Sequence, residues 1–444
     1  MTILLLLAPS AHATTWIVDQ GGLGDATTVA DGLALLKSGD TLHIDAGVYY
    51  EEGLTPQRWD TEGNLSVDDV HIEGDGPGET VLDGSLASGR AISNYGNLAV
   101  RGLTVRGYPV DWVYGAIWSY GEADLVVENC AFEDNGAAIT PASLTLKGST
   151  LSGNDVAILS GFGDLTIENN VFIDNDRPYA SGSRDDGFYY GTCYGLGTWL
   201  FTNNTFVGGT TGLEFTNDQD HTAGGVDITI TDNLFVGMTD AWIVTDGGSG
   251  WWADGTWSFE NNLLGTDVAT VVDMPSDATI TESGTMSGDP SFLDWSDDGD
   301  ATNDDLRLAA GSAGIDACGD AYTTEDYDGT SRPVDGDGDG TATSDCGAFE
   351  YVPPEAVDTG EADTDTDADT DADSDADTDA DSDADSDTDA DTDADTDVDS
   401  ETPSDSPCGC ASTPSHGVSL AGLLAAGALI SRRRRWLSPP VTAA

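Results

Sequence analysis

Some residues of this chain have the types and spacing to do chemistry. Asp335-Gly-Asp337-Gly-Asp339-Gly340 sets carboxylates at alternating positions before a glycine. This pattern matches the first half of an EF-hand loop, in which three carboxylates converge on Ca2+ and the glycine permits the sharp turn. The twelfth position should carry a bidentate Glu but holds Cys346; Asp345 is adjacent, and Asp326 and Asp328 are near. Ca2+ here would stiffen the chain rather than catalyse, and the competing reading is a solvated Gly/Asp turn. Arg177 and Arg184, followed by Asp185 and Asp186, are the compact mix of base and acid that proton abstraction or acid-assisted attack by water requires. The competing reading for these residues is again a solvated loop.

Aromatic residues form a further set. Trp112, Tyr114, Trp118 and Tyr120 cluster in one stretch; Phe188, Tyr189, Tyr190 and Tyr194 in a second; Trp242, Trp251, Trp252 and Trp257 in a third. Aromatic faces beside Asp and Asn can grip sugar rings, because the C–H faces stack and the hydroxyls bond to amides and carboxylates. Trp112, Trp118, Tyr189, Tyr190, Trp251 and Trp252 are the ligand-binding candidates. The alternative is that such rings seal gaps between loop and core, and Trp257 falls in a core position.

The elements that must position these groups are repeats. Leu165-Thr-Ile-Glu-Asn-Asn-Val-Phe172 returns as Trp199–Phe206, Ile228–Phe235 and Trp257–Leu264, with weaker copies at Leu98–Val105, Leu125–Phe132 and Leu144–Leu151. A recurring unit of roughly 20–35 residues implies a solenoid, since one copy cannot bury its apolar face alone. Alternation with a period of two implies strands, with Leu165, Ile167 and Phe172 inward and Thr166 and Glu168 outward. The Asn pair falls where a coil must turn. Asn170, Asn204, Asn233 and Asn262 are expected to stack as a ladder, with Cys130 in the same position as a buried thiol. Phe132, Phe172, Phe206 and Phe235 are expected to form an aromatic column. Asp176–Gly195 is read as a projecting loop. Trp16–Asp19 as a strand and Thr27–Lys37 as a helix would cover the N-terminal end. Asp289 to Tyr351 would cover the other end, where a Cys318–Cys346 disulfide would close a loop.

The opening Trp16–Tyr50, the Glu-Asn-Asn-x-Phe coils and the ending Asp-Pro-Ser-Phe292 … Gly311-Ser-Ala-Gly-Ile-Asp316 … Cys346-Gly-Ala-Phe-Glu350 resemble the pectin-lyase-like superfamily of secreted surface proteins. The resemblance implies an all-β fold: a single-stranded right-handed parallel β-helix solenoid with an N-terminal helical cap. It is weak for activity. Uronan lyases of this fold need a Lys or Arg base, and Lys37 and Lys147 are the only lysines. The Asn-Thr-Asp, Gly-His-Gly and Arg-x-Lys elements of polygalacturonases are absent from the coils.

The remaining segments read as an address. Residues 1–13 resemble a signal peptide ending in Ala11-His-Ala13. Residues 14–352 form the β-helix domain with its end caps, and 353–407 an Asp-rich linker. Asp alternating with Ala, Thr or Ser cannot bury enough surface to offset chain entropy, so a disordered acidic stalk is expected. Residues 408–436 combine Cys408 and Cys410, a short apolar run and Arg432, Arg433, Arg434 and Arg435, before a tail at 437–444. This resembles a myxobacterial-type sorting signal. It implies a short transmembrane-like helix, a membrane contact, a sorting enzyme as partner, and an exported chain anchored to the cell surface or outer envelope. With 14 Lys+Arg against 82 Asp+Glu and a net charge of −68, nucleic acid is excluded as an expected partner. The expected function is glycan or envelope-component binding without catalysis. The alternative is a polysaccharide lyase or glycoside hydrolase acting on an extracellular polymer.

Overall fold

The computed structural model describes residues 13–109, 114–121, 123–160, 163–181, 197–216, 226–245, 255–274, 279–296, 300–319 and 322–354. Their strands stack into three long parallel sheets. The first has 11 strands, from Thr15–Val18 to Thr279–Ser283. The second has 10, from Gly47–Tyr49 to Met286–Ser287. The third has 8, from Ile92–Asn94 to Ala269–Asp273. Each coil visits the sheets in that order, which makes a right-handed parallel β-helix. The register follows the repeat: Leu144, Leu165, Trp199, Ile228 and Trp257 lie in line, as do Leu146, Ile167, Phe201, Ile230 and Phe259. All ten are buried in one continuous core.

The two residues of each Asn pair divide the work at the first corner. The leading one takes the left-handed backbone conformation, with φ of 53° at Asn169, 52° at Asn203, 59° at Asp232 and 51° at Asn261. Short polar side chains tolerate that region best after glycine. The trailing one enters the ladder. Asn170 Nδ2 donates to Asn204 Oδ1 at 3.0 Å and to the Leu146 carbonyl at 2.9 Å. Asn204 repeats this toward Asn233, and Asn233 toward Asn262. Below Asn170 the line continues through Ser149 to Cys130, whose N–H donates to Ser149 Oγ. Cys130 is a buried free thiol, as its ladder position implies.

A second ladder, absent from the sequence reading, turns the next corner. Asn135 Nδ2 donates to Asn154 Oδ1 at 3.0 Å, and Asn154 Nδ2 to Asn175 Oδ1 at 2.8 Å. Phe172, Phe206 and Phe235 stack with centroids 4.6 and 4.7 Å apart. Phe132 does not join them, because Leu151 occupies the coil between.

The N-terminal cap is a short helix, Val29–Leu35, with Lys37 beyond its end. Both termini are tied by side chains from the adjoining coil. Glu51 accepts from the N–H groups of Val29 and Ala30, and Arg58 donates to the carbonyls of Leu33, Ala34 and Leu36. This satisfies the backbone groups that a helix leaves unpaired at each end. A Cβ on Gly32 would lie 2.6 Å from Val18 Cγ2, so glycine lets the helix sit directly on the first strands.

The C-terminal segment departs from the expectation of an end cap. It runs back along the outer face of the second sheet. Val171, Ile173 and Val207 on that face pack against Leu306 and Ala348, and Leu234 and Leu263 against Leu308, Cys318 and Cys346. Tyr327 Oη reaches Thr150 Oγ1 at 2.7 Å. The physical reason is in the coils themselves. Outward positions of the second sheet are polar early (Arg106, Glu133, Ser152) and apolar later (Ile173, Val207, Val236), and apolar faces must be covered. The Cys318–Cys346 disulfide is present with Cα atoms 5.0 Å apart, on this flank rather than over the solenoid end. Beside it Arg332 and Glu350, both fully buried, pair at 3.5 Å. Asp345 lies among them and accepts from the N–H groups of Asp316 and Tyr351. Burial, the largest influence, pushes its carboxyl up to about 7.

Candidate functional site

The third sheet begins with Ile92–Asn94 and Ile117–Ser119, and its outer face carries the aromatic cluster. Ile117 aligns with Ile92 and Ile139 in the core, so its neighbour Trp118, aligned with Ser93 and Thr140, points outward. A polar row fixes the adjacent corner. Gln57 Nε2 donates to Asn94 Oδ1 at 2.6 Å, and Asn94 Nδ2 to Ser119 Oγ at 3.0 Å. Gln57 Oε1 accepts from the Tyr95 N–H. Buried amides left unpaired cost about 1–3 kcal/mol each, so this row holds one geometry.

Five rings gather on that support. Tyr95 contacts Trp59, Trp118 and Tyr120 with centroids 5.0, 5.8 and 6.2 Å apart. Trp118 also meets Tyr114 at 5.9 Å and Tyr120 at 5.6 Å. Trp118 is 8% exposed, whereas Trp59 is 47% and Tyr120 53% exposed. The Arg90 guanidinium lies 4.6 Å from the ring centroids of both Tyr114 and Trp118. Glu52, Gly53, Ser88, Gly89, Arg90, Ser93, Tyr95 and Trp118 line a cleft of about 560 Å³. Glu52 accepts from the N–H groups of Ser88 and Gly89 at 2.6 Å each, which lowers its carboxyl below the ordinary range and anchors the segment that presents Arg90. The Trp118 indole N–H has no acceptor among the described residues. Flat apolar faces, an ionised carboxylate, hydroxyls and a guanidinium thus open onto one space.

The sequence candidates fall variously. Trp118 is on a strand rather than in a loop and is central to the cluster. Tyr114 and Tyr120 join it, together with Trp59, Tyr95 and Arg90, which sequence reasoning missed. Trp242 is no loop residue: it is buried and stacks on Phe259 at 4.9 Å. Trp257 is core, as expected. Trp112, Tyr189, Tyr190, Trp251 and Trp252 lie outside the described residues.

Arg177 falls within the Asp176–Gly195 segment that the sequence assigns to a projecting loop. It instead opens the third-sheet strand Arg177–Ser181, because the coil closes before the insertion begins, and it pairs with Glu214 at 3.4 Å. Arg184, Asp185 and Asp186 lie outside the described residues. Lys147 meets Glu168 of the next coil at 2.6 Å.

The candidate metal loop is rearranged. Carboxylate oxygens of Asp335, Asp337 and Asp316 lie within 4.8 Å of one another. Asp339 is absent from the group and accepts from the Thr341 N–H. Asp345 does not substitute, because both its oxygens serve backbone amides. Three carboxylates offer part of the roughly 6–8 oxygens that Ca2+ takes. A second grouping joins His43, Asp45 and Asp75, with His43 Nε2 3.1 Å from Asp75.

Comparison with known proteins agrees with this architecture. A family model described as a right-handed β-helix region matches residues 59–235. No curated protein matches. Among solved structures, a pectate lyase is similar at 14% identity over 77% of this chain and 97% of its own, with a TM-score of 0.40. A pectin methylesterase variant bound to a hexasaccharide is similar at 14% identity over 69% and 95%, TM-score 0.32. The catalytic unit of an α-1,3-glucanase from Streptomyces thermodiastaticus is similar at 15% identity over 58% and 65%, TM-score 0.29. At these identities and TM-scores the similarities carry no activity over to this chain.

Proposed function

We propose that this protein is a non-catalytic, surface-displayed β-helix that binds glycans, or an envelope component bearing them, through the aromatic cleft on its third sheet. The observation that carries the reading is a cleft lined by the rings of Tyr95 and Trp118 together with Glu52, Ser88, Ser93 and Arg90, with Trp59, Tyr114 and Tyr120 packed against those two rings. Rings stack on the apolar faces of sugars, and a few placed polar groups fix orientation. Trp112, Tyr189, Tyr190, Trp251 and Trp252 are further ligand-binding candidates on sequence grounds alone. Export, the acidic stalk and envelope attachment near Cys408 or Cys410 by a sorting enzyme complete the proposal.

Against catalysis, Arg177 is engaged by Glu214 and Lys147 by Glu168, so neither is a free base. The test is affinity electrophoresis of the full chain against extracellular polysaccharides, following new reducing ends and unsaturated-uronate absorbance in parallel. Binding without turnover, weakened at least tenfold by Trp118→Ala, is the expected result. Turnover that Arg184→Ala abolishes would replace this reading with an enzyme.

A further inference from the structure

The cations of this chain are mostly spoken for. Among the described residues, Arg101 pairs with Glu128 and Glu73, Arg106 with Asp83, Lys147 with Glu168, Arg177 with Glu214, Arg307 with Asp305 and Arg332 with Glu350. Arg58 caps the N-terminal helix. Lys37 and Arg90 differ. Neither has a carboxylate within 4 Å or donates a side-chain hydrogen bond among the described residues, although the sequence carries 82 acids against 14 bases. Lys37 is exposed beyond the cap helix, whereas Arg90 lines the cleft. Arg90 is nonetheless fixed, against the rings of Tyr114 and Trp118, at the wall of the cleft. Glu52, the acid of the same cleft, is bound to the Ser88 and Gly89 amides and not to Arg90.

We infer that the cleft selects glycans carrying an anionic group, a carboxylate or a sulfate ester, and that Arg90 is the residue that reads that charge. This rests on the glycan-binding reading above and goes beyond it in naming the ligand class. A guanidinium stacked on aromatic faces keeps its N–H edge free, and that fork matches two oxygens of a carboxylate or sulfate. The rings exclude water from one side and hold the side chain in place, so little rotamer freedom is lost when the anion arrives.

The charge of the whole chain gives the inference a distinctive signature. At −68 the protein repels a polyanion at long range, and salt screens that repulsion over about 8 Å at physiological strength. Contact with Arg90 inside the cleft is screened less. Binding of an anionic glycan therefore holds or strengthens from low to physiological salt, opposite to non-specific electrostatic attachment.

The experiment compares backbone-matched probes with the full chain at two salt concentrations: dextran, carboxymethyl-dextran and dextran sulfate, and hydroxyethyl- against carboxymethyl-cellulose. The expected result is that at least one anionic probe binds tenfold or more tightly than its neutral partner. Carboxymethyl and sulfate arms identify which anion is read. Arg90→Gln removes the preference, bringing the ratio of anionic to neutral affinity to about one. Arg90→Lys keeps part of the preference, and Trp118→Ala lowers both kinds of binding. Equal affinity for neutral and anionic probes, or a preference that survives Arg90→Gln in a protein with unchanged far-ultraviolet spectrum, overturns this inference and leaves glycan binding standing. Failure to bind any probe overturns both.

Discussion

At the scale of single residues, the strongest constraint is that buried polar groups must be paired. Asn204 shows what this means. Its Oδ1 accepts from both the N–H and the side chain of Asn170, and its own amide donates to Asn233 and to the Ile167 carbonyl. Asn204→Leu fills similar space but orphans those partners, so we expect a loss of about 3 kcal/mol in urea denaturation. Thr166→Ala, on an outward position, should cost less than about 0.5 kcal/mol. Equal effects of the two changes would contradict the ladder's role. Cys130 gives a chemical test of the same stack. Burial pushes its thiol up to about 12 and removes it from reagents, so iodoacetamide should label Cys130 only after unfolding, as read by peptide mass spectrometry. Labelling in the native state would place the thiol elsewhere.

At the scale of elements, the coils and their first ladder were legible because one phrase repeats in one register. The second ladder was not. Asn135, Asn154 and Asn175 stand in only three coils, after Asp134, Gly153 and Asp174, outside the paired-Asn phrase that marks the first ladder. The flank segment was missed for a different reason. Val171-Phe-Ile173 and Leu234-Phe-Val236 are apolar on both faces, which signals a strand buried on both sides, yet the period-two pattern was read for its inward face alone.

The cleft was only partly legible, because Trp59, Arg90, Tyr95 and Trp118 lie on successive coils and meet only through stacking. The flank carries its own prediction. Asp345, Glu350 and Asp232 are all raised, chiefly by burial, so the folded state holds protons that the unfolded state releases. Stability from such groups is fully present below the unfolded value near 3.8 and is lost as pH rises through about 7. The melting temperature should therefore fall between pH 5 and pH 8, and Asp345→Asn should flatten the slope. A rise over that interval would show that the flank does not hold these protons.

At the scale of the whole molecule, the stacked coils of the described residues present a cleft on the early coils, and a flank segment covers the second sheet of the middle coils. The sequence beyond residue 354 belongs to the proposed stalk and anchor. Mass spectrometry of the cell-surface form should find a C-terminus upstream of Ala444, near Cys408 or Cys410; intact Ala444 would reject processing. The proposed function requires that glycan be held in the cleft lined by Tyr95, Trp118 and Arg90. Hydrogen–deuterium exchange with and without a bound polysaccharide tests this most directly. Slower exchange confined to residues 52–59, 88–97 and 114–121 is the predicted outcome, whereas unchanged exchange there, with protection along the first sheet or the C-terminal flank instead, would contradict it.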